Sequence, residues 1–170
     1  LLTVLENNLG FVPNIFAVMA GSVPALKAFF ELNAQFAESG FDAMSRAVIQ
    51  TAASVENQCT YWVTGHTAFA EMQDVPRQVI DAVRNNRAIA DTRLEALNQF
   101  TRLLVRERGM VSADQVQDFL DAGYEPAQVL EVILGICVKT FSNLANNVMA
   151  IPLDDEFTPH TWQPNRCREL

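Results

Sequence analysis

The chain has 170 residues, of which 49% are hydrophobic and 19% charged, and this size and balance suit one domain with a full core of its own. The net charge of -8 and the absence of any basic run argue against nucleic acid and against an anionic membrane surface as partners. Three cysteines are too few for a disulfide scaffold, so we expect a reducing compartment and a cytoplasmic protein.

The first quarter of the chain contains the longest stretch without charge. Residues 7–26 have no charged side chain, but asparagines, glycines and two prolines interrupt them. We therefore expect a buried loop and a short helix there, and no membrane span. Ser22 and Pro24 then mark the start of a helix that ends near Gly40.

Two helices follow, separated by a short break. Asp42 caps the first helix. Its inner face is predicted to contain Met44, Ala47, Val48, Thr51 and Val55. Asn57 and Gln58 form the break, and the second helix is predicted to contain Cys59 and to reach about Gln73.

Four more helices are predicted in the rest of the chain. They cover about residues 77–84, 91–109, 112–123 and 126–149, and glycine or proline stands near most of their ends. In the last of them, residues 132–141 are apolar nearly all round, with Lys139 as the only charge. Cys137 lies in the same apolar context, so we expect it to be an inert core residue.

No segment shows the alternation of a strand, so the sequence predicts an all-α, single-domain bundle of seven or eight helices. We assign residues 1–151 to the helical domain. Residues 152–170 are polar and aromatic, and we expect them to form an extended C-terminal arm that packs on a neighbour.

The helix after the break carries the residues best suited to chemistry. Cys59, Trp62 and His66 are spaced i, i+3 and i+7, which puts them on one helical face. A thiol and an imidazole on a poorly hydrated face form a plausible acid/base or redox pair. The alternative is that Cys59 is a small buried hydrophobe and His66 a hydrogen-bonded core histidine. Spacing alone leaves both open.

This stretch and the helical hairpin around it resemble the carboxymuconolactone decarboxylase and alkylhydroperoxidase D-like family, over roughly residues 10–157. That family carries a glutamate about a dozen residues before a Cys-x-x-Cys, followed by a histidine. Cys59 matches the first family cysteine and His66 the histidine, whereas Trp62 stands in place of the second cysteine and Ala47 in place of the glutamate.

The resemblance implies the alkylhydroperoxidase D-like bundle and a homotrimer or hexamer. It also implies a peroxide-reducing, peroxiredoxin-type antioxidant enzyme with an incomplete thiol site, in which Cys59 and His66 are catalytic. The alternative is a non-redox enzyme of the carboxymuconolactone decarboxylase type, or a small-molecule binder that uses His66. In either case the expected pocket contains Trp62, Ala47, Thr51 and Tyr61.

The missing residues limit the chemistry. An indole at Trp62 can neither attack nor resolve a disulfide, so no Cys-x-x-Cys couple forms within this helix. Glu56 is a possible substitute for the missing carboxylate, although a solvent-facing position is the commoner reading. With only two histidines and no ligand spacing, we expect no metal, and no sequence fingerprint predicts a cofactor. The expected ligand is a peroxide or a small organic molecule.

Overall fold

The computed structural model describes residues 2–164, and every regular element in that range is helical. There are nine α-helices and one short 3-10 helix in the described residues. In chain order the α-helices are α1 (Leu2–Leu9), α2 (Asn14–Met19), α3 (Val23–Ala37), α4 (Ala43–Glu56), α5 (Thr60–Met72), α6 (Arg77–Arg84), α7 (Thr92–Arg106), α8 (Ala113–Asp121) and α9 (Pro126–Met149). The 3-10 helix is Asp155–His160. The predicted all-α bundle is confirmed.

Side-chain caps start four of the helices where the sequence predicts them. A side-chain oxygen accepts a hydrogen bond from a first-turn backbone N–H in each case: Ser22 for α3, Asp42 for α4, Asp91 for α7 and Ser112 for α8. Such caps satisfy backbone donors that have no partner inside the helix. The helix starts were predictable because this interaction is local in sequence.

The N-terminal segment is more ordered than the sequence suggests. Where we expected a loop and one short helix, the structure has α1, α2 and the start of α3. Pro13 directly precedes α2 and Pro24 lies in the first turn of α3, so both prolines start helices instead of interrupting one. Ile15, Phe16 and Met19 are buried in the main core of the same chain.

Helices α4 and α9 form the centre of the bundle. α4 packs against α5, α6, α7 and α9, and α9 packs in turn against α2, α3, α4 and α7. Gly135 permits the closest approach. A Cβ atom at this position would lie 2.7 Å from the Phe36 ring of α3 and 2.8 Å from Ile49 Cγ2 of α4. A larger residue there would push α9 away from its neighbours.

The two faces of α9 differ sharply. Its buried face consists of Val132, Gly135, Val138, Lys139, Ser142, Asn143 and Asn146. Its opposite face presents a row of exposed residues, which we call the outer stripe: Leu130, Ile133, Cys137, Phe141, Leu144 and Val148. The expectation that Cys137 lies in the core is wrong, because a helix that is apolar all round still has one outward face.

Helix α9 is also the one described helix that is long and apolar enough to cross a membrane, with a mean hydropathy of 1.3 over its best window. Four helices cover its inner face. Long apolar helices at the centre of a soluble bundle have the same length and composition. Within the described residues, the run at 7–26 gives no such helix.

Residues 152–164 fold back onto their own chain, in contrast to the extended arm that we expected. Phe157 lies against Gly65 of α5, where a Cβ atom would be 3.4 Å from its ring. The indole N–H of Trp162 donates to the carbonyl of Arg84 at 2.8 Å. The Arg84 side chain donates to the carbonyls of His160 and Thr161. The remaining tail, including Cys167, lies outside the described residues.

Candidate functional site

The turn between α4 and α5 sets the position of the candidate thiol. Asn57 ends α4, and Gln58 adopts a left-handed backbone conformation with φ 52°. Cys59 then takes an extended conformation and serves as the N-cap of α5, its N–H bonded to Ser54 O at 3.0 Å. The sequence placed Cys59 inside the helix. The structure places it just before the first turn, at the positive end of the helix dipole.

His66 lies two turns into α5 and contacts Lys139 of α9. The Lys139 Nζ and His66 Nε2 atoms are 2.6 Å apart, and both side chains are buried, with Lys139 only 1% exposed. Since neither residue has a carboxylate within ion-pair distance among the described residues, this is a hydrogen bond between two nitrogen bases. One nitrogen donates and the other accepts, so at most one of them can carry an extra proton without repulsion.

Trp62 forms a wall between these groups. Its ring is stacked on His66, with centroids 5.1 Å apart, and Lys139 Nζ lies 3.4 Å from a ring centroid of the same indole. An ammonium in that position would gain cation–π stabilisation from the ring. The indole N–H of Trp62 is buried with no hydrogen-bond acceptor in the described residues.

Asparagines of α9 hold the thiol and its turn. The Asn146 amide donates to Cys59 Sγ at 3.4 Å, and Asn143 donates to Ser54 Oγ at 3.3 Å while it accepts from Asn57. The hydrogen bond from Asn146 acts on the sulfur and favours its thiolate form. Asn146 Oδ1 is buried without a partner among the described residues.

Burial controls the protonation of the three titratable groups. It raises the pKa of the Cys59 thiol, and the hydrogen bonds and the Lys139 charge oppose this shift. Burial lowers the pKa of Lys139 well below its ordinary value, and the Cys59 charge opposes that shift. Burial and then Lys139 lower the pKa of His66. Burial therefore disfavours the charged form of each of these three groups.

The residues predicted to form one pocket lie in separate parts of the structure. Thr51 of α4 is fully buried, and its hydroxyl has no partner in the described residues. The Tyr61 hydroxyl donates to the Asp154 carboxylate and accepts from the Ile15 N–H, so it joins the arm to α2. Burial, followed by Asp154, raises the pKa of Tyr61.

Ala47 lies in a different apolar cluster from Cys59. That cluster contains Ala47, Ala70, Val75 and Ile80, whereas Cys59 and Trp62 belong to the main core. Glu56, which the sequence offered as a substitute carboxylate, accepts from Arg102 at 2.7 Å in a salt bridge. No group of three or more His, Cys, Asp or Glu side chains suited to a metal ion occurs among residues 2–164.

Two cavities in the described structure lie away from the thiol. One, of about 290 Å³, is lined by residues of α7 and α8. The other, of about 190 Å³, lies beside the arm; its lining includes Tyr61 but neither Cys59 nor His66. Cys59 itself is 0% exposed. A substrate therefore reaches the sulfur only when the surrounding side chains move.

Sequence reasoning missed Lys139 and the two asparagines as parts of the site. Their spacing of i, i+4 and i+7 on α9 puts them on one helical face. A signal was present, because Lys139 is the only charge in the apolar centre of that helix. The side of α9 from which Lys139 projects into the protein could not be predicted, since that stretch is apolar on every side.

Comparisons with known proteins agree with this architecture. The model of the Carboxymuconolactone decarboxylase family matches residues 24–102. No curated protein matches the sequence significantly. The fold is similar to that of an uncharacterised peroxidase-related protein from Ralstonia eutropha JMP134, described as an alkylhydroperoxidase AhpD core, with a TM-score of 0.85 and 23% identity over 96% of this chain and 88% of that one.

Two further solved structures share the fold. A peroxidase-related protein from Silicibacter sp. TM1040 has a TM-score of 0.83 at 19% identity over 92% of this chain and 84% of that chain. The debrominase Bmp8 has a TM-score of 0.78 at 18% identity over 92% of this chain and 85% of that chain. At these identities the likeness shows the fold alone. The family model assigns the segment from α3 into α7, residues 24–102, to the carboxymuconolactone decarboxylase family, and the whole chain has the alkylhydroperoxidase D-like fold.

Proposed function

We propose that this chain is a peroxide-reducing thiol enzyme that works with one cysteine, Cys59. The main support for this proposal is the buried polar cluster around the Cys59 sulfur. Cys59 occupies the N-cap position of α5 and accepts from the Asn146 amide at 3.4 Å, and Trp62, one turn further along α5, contacts both His66 and Lys139. A helix N-terminus and hydrogen-bond donors stabilise a thiolate, which is the nucleophilic form.

The proposed reaction needs only one sulfur on the protein. The Cys59 sulfur attacks one oxygen of a hydroperoxide, the O–O bond breaks, and the products are an alcohol and a Cys59 sulfenic acid. Two equivalents of an external thiol then restore the Cys59 thiol and release water and a disulfide. Trp62 stands where a resolving cysteine would be, so the second thiol has to come from another molecule.

The full burial of Cys59 favours small substrates. Hydrogen peroxide and short alkyl hydroperoxides need less movement of the surrounding side chains than a long lipid hydroperoxide does. The apolar wall of Trp62 and Phe29, with ring centroids 6.5 Å apart, suits an alkyl group better than a charged one.

The test is to trap the sulfenic acid. The protein, in a Cys137→Ser background, is exposed to stoichiometric hydroperoxide with dimedone and then analysed by peptide mass spectrometry. We expect an adduct on Cys59 and none in the matched Cys59→Ser protein. Absence of the adduct in a folded protein, with external thiol producing no hydroperoxide consumption, refutes the proposal.

A second candidate is non-redox proton transfer on a small organic molecule. It is favoured by the 2.6 Å contact between His66 and Lys139, since two neutral nitrogen bases can move protons without any sulfur. Halogenated pyrroles belong in the substrate screen, because the debrominase Bmp8, which shares the fold, has a structure in complex with 2,3,4-tribromopyrrole. Turnover that survives Cys59→Ser but not His66→Ala would support this candidate over the first.

We also propose that the protein is a homo-oligomer, a trimer or hexamer, and that the outer stripe of α9 lies in its interface. Leu130 is 70% exposed and Val148 is 78% exposed, at opposite ends of the stripe. Monomeric soluble proteins rarely expose a contiguous apolar row of this length. A monomer mass by light scattering at micromolar concentration would refute this proposal.

A further inference from the structure

The lone lysine of the buried cluster has no evident structural purpose. Lys139 is almost fully buried, and no carboxylate in the described residues pairs with it. An apolar side chain of similar length would fill the same space without the desolvation penalty of an amine. Buried lysines of this kind are candidates for a chemical role.

Arg102 shows what a structural buried cation looks like in this protein. It donates to the Glu56 carboxylate, to the side-chain oxygens of Asn98 and Asn86, and to the carbonyl of Val83. Its charge is balanced and its donors are used. Lys139, in contrast, contacts only His66 and the Trp62 ring with its head group among the described residues, and Trp62 lies one helical turn from Cys59.

We infer that Lys139 is a catalytic residue, whose amine takes the proton of the Cys59 thiol before attack on the hydroperoxide and returns it to the leaving oxygen. This inference rests on the proposed function, and it adds the group that moves the proton. His66 then acts as a positioning residue, since it fixes the Lys139 nitrogen through the 2.6 Å hydrogen bond. Sequence reasoning gave the proton-transfer role to His66.

The geometry favours Lys139 over His66 for this step. Lys139 and Asn146 lie on one face of α9, and Asn146 donates to the Cys59 sulfur at 3.4 Å. Lys139 Nζ lies over the ring of Trp62, which is one helical turn from Cys59, whereas His66 is two turns from it. The charges of Cys59 and Lys139 also oppose the effect of burial on each other's pKa. When the amine lone pair faces the sulfur, a Lys139 N–H donates to His66 Nε2.

The Cys59 proton moves to Lys139, which gives a thiolate and an ammonium held over the face of Trp62. The thiolate forms an S–O bond with the hydroperoxide as the O–O bond breaks, and the departing alkoxide takes the proton from Lys139. The products are a Cys59 sulfenic acid, an alcohol and a neutral amine, so Lys139 returns to its starting state.

Other titratable groups near α9 are used elsewhere or face solvent. Helix α2 has none. On the remaining described helices that pack against α9, the charged side chains either are exposed or bond to other partners: Lys27, Glu31 and Glu38 on α3; Arg46 and Glu56 on α4; Arg93, Glu95, Arg102 and Arg106 on α7. Proton exchange with the sulfur is therefore assigned to Lys139 alone.

The decisive variant is Lys139→Met, with Lys27→Met as the matched control. Lys27 is exposed on α3 and is the only other lysine in the sequence. Both are made in a Cys137→Ser, Cys167→Ser background, so that only Cys59 can form a thiolate. The ultraviolet absorbance of the thiolate is followed against pH, and this measurement needs no peroxide.

We expect Lys139→Met to move thiolate formation up by about one to three pH units, since the sulfur loses its proton acceptor and counter-charge. Sulfenic acid formation with hydrogen peroxide at neutral pH should slow by about 100-fold. Lys27→Met should match the parent protein in both measurements. Coincident thiolate titrations of the parent and Lys139→Met proteins would overturn the inference, whatever the peroxide result.

A second variant separates proton transfer from packing. Lys139→Ala leaves a space that a small primary amine can enter, and added ethylamine should restore at least about tenfold of the lost rate. Tetramethylammonium, a cation without a transferable proton, should restore nothing. Equal effects of the two compounds would contradict the proton-transfer role.

These results separate the two proposals. If the parent protein forms no sulfenic acid but its thiolate titration depends on Lys139, the peroxidase function fails and the proton partnership stands. If sulfenic acid forms equally fast in Lys139→Met, the function stands and the role of Lys139 fails.

Discussion

The two faces of α9 differ in polarity, but in the opposite sense to the faces of an ordinary amphipathic helix. The buried face contains Lys139, Asn143 and Asn146 over two turns, whereas the exposed face over the same length presents Phe141 and Leu144. In a soluble domain the apolar stripe normally faces the core and the polar residues face water. In this part of α9 the charge lies inside and apolar side chains lie outside.

The contrast teaches that neither face is explained by the stability of the monomer. Burial of an amine without a carboxylate is costly, and exposure of a long apolar row invites association. The inner face is what a site for chemistry requires, and the outer stripe is what an interface requires. The predictions below test the two faces separately, from the largest expected effect to the smallest.

The largest effect is expected on the outer stripe. Phe141→Glu with Leu144→Glu should convert the oligomer to a monomer, because two charges on each copy would have to be buried in the interface. Mass by light scattering measures this, and circular dichroism should show unchanged helix content. Met110, which is 79% exposed and outside the stripe, supplies the control Met110→Glu. A parent protein that is already monomeric contradicts the prediction.

The buried Cys59 and the exposed Cys137 of the outer stripe should differ in their reactivity toward an alkylating reagent. In the Phe141→Glu, Leu144→Glu monomer with Cys167→Ser, we expect Cys137 to react with iodoacetamide on the order of 1,000-fold faster than the fully buried Cys59, the factor for an opening free energy of about 4 kcal/mol. Time-resolved mass spectrometry of the two peptides gives both rates. Equal rates would mean that the Cys59 site opens freely in solution.

Lys139→Met should stabilise the protein while it impairs the chemistry. Replacement of a buried amine by an apolar side chain of similar length removes a desolvation penalty, and we expect the free energy of unfolding at neutral pH to rise by about 1–4 kcal/mol. Urea unfolding measures the change, with Lys27→Met as the near-neutral control. A loss of stability would indicate that Lys139 holds the fold together, as Arg102 does.

The smallest expected effect is on the way in which the free energy of unfolding depends on pH. Lys139 has a lowered pKa in the folded protein and its ordinary value of 10.5 when unfolded, so at any pH between these two values the unfolded chain binds one proton more. Stability should therefore rise with pH by about 1.4 kcal/mol per unit in this window. His66 adds the same sign only below its ordinary value of 6.5, and Cys59 the opposite sign only near and above 9.0.

Urea unfolding at several pH values compares the parent with Lys139→Met. The slope between pH 7 and pH 8.5 should flatten in the variant, since no other group of the cluster titrates there. Parallel slopes would show that Lys139 remains protonated in the folded protein.

Much of the fold followed from the sequence because helix starts are local. Asp42 caps α4 as predicted, and α7, α8 and α9 begin within one residue of the predicted starts at 91, 112 and 126. The site was only partly predictable. Cys59 and His66 could be named, but Cys59 caps α5 instead of lying within it, because one left-handed residue, Gln58, ends the turn one residue later than the pattern suggests.

The partners of the thiol could not be predicted because they come from a distant helix. Lys139 and His66 are 73 positions apart, and their contact depends on the rotation of α9 about its axis. An apolar helix gives no indication of that rotation in its sequence. For the same reason Cys137, two residues before Lys139, was expected inside and lies outside.

Gly135 determines that rotation without taking any part in the chemistry. It lies one turn before Lys139 on the same face, and the space for its missing side chain is filled by Phe36 and Ile49. In a saturation-mutagenesis experiment, positions 135 and 139 should therefore show opposite patterns of tolerance to substitution. Position 135 should tolerate almost nothing at the level of protein abundance. Position 139 should accept many apolar residues at normal or higher abundance and lose function in each of them.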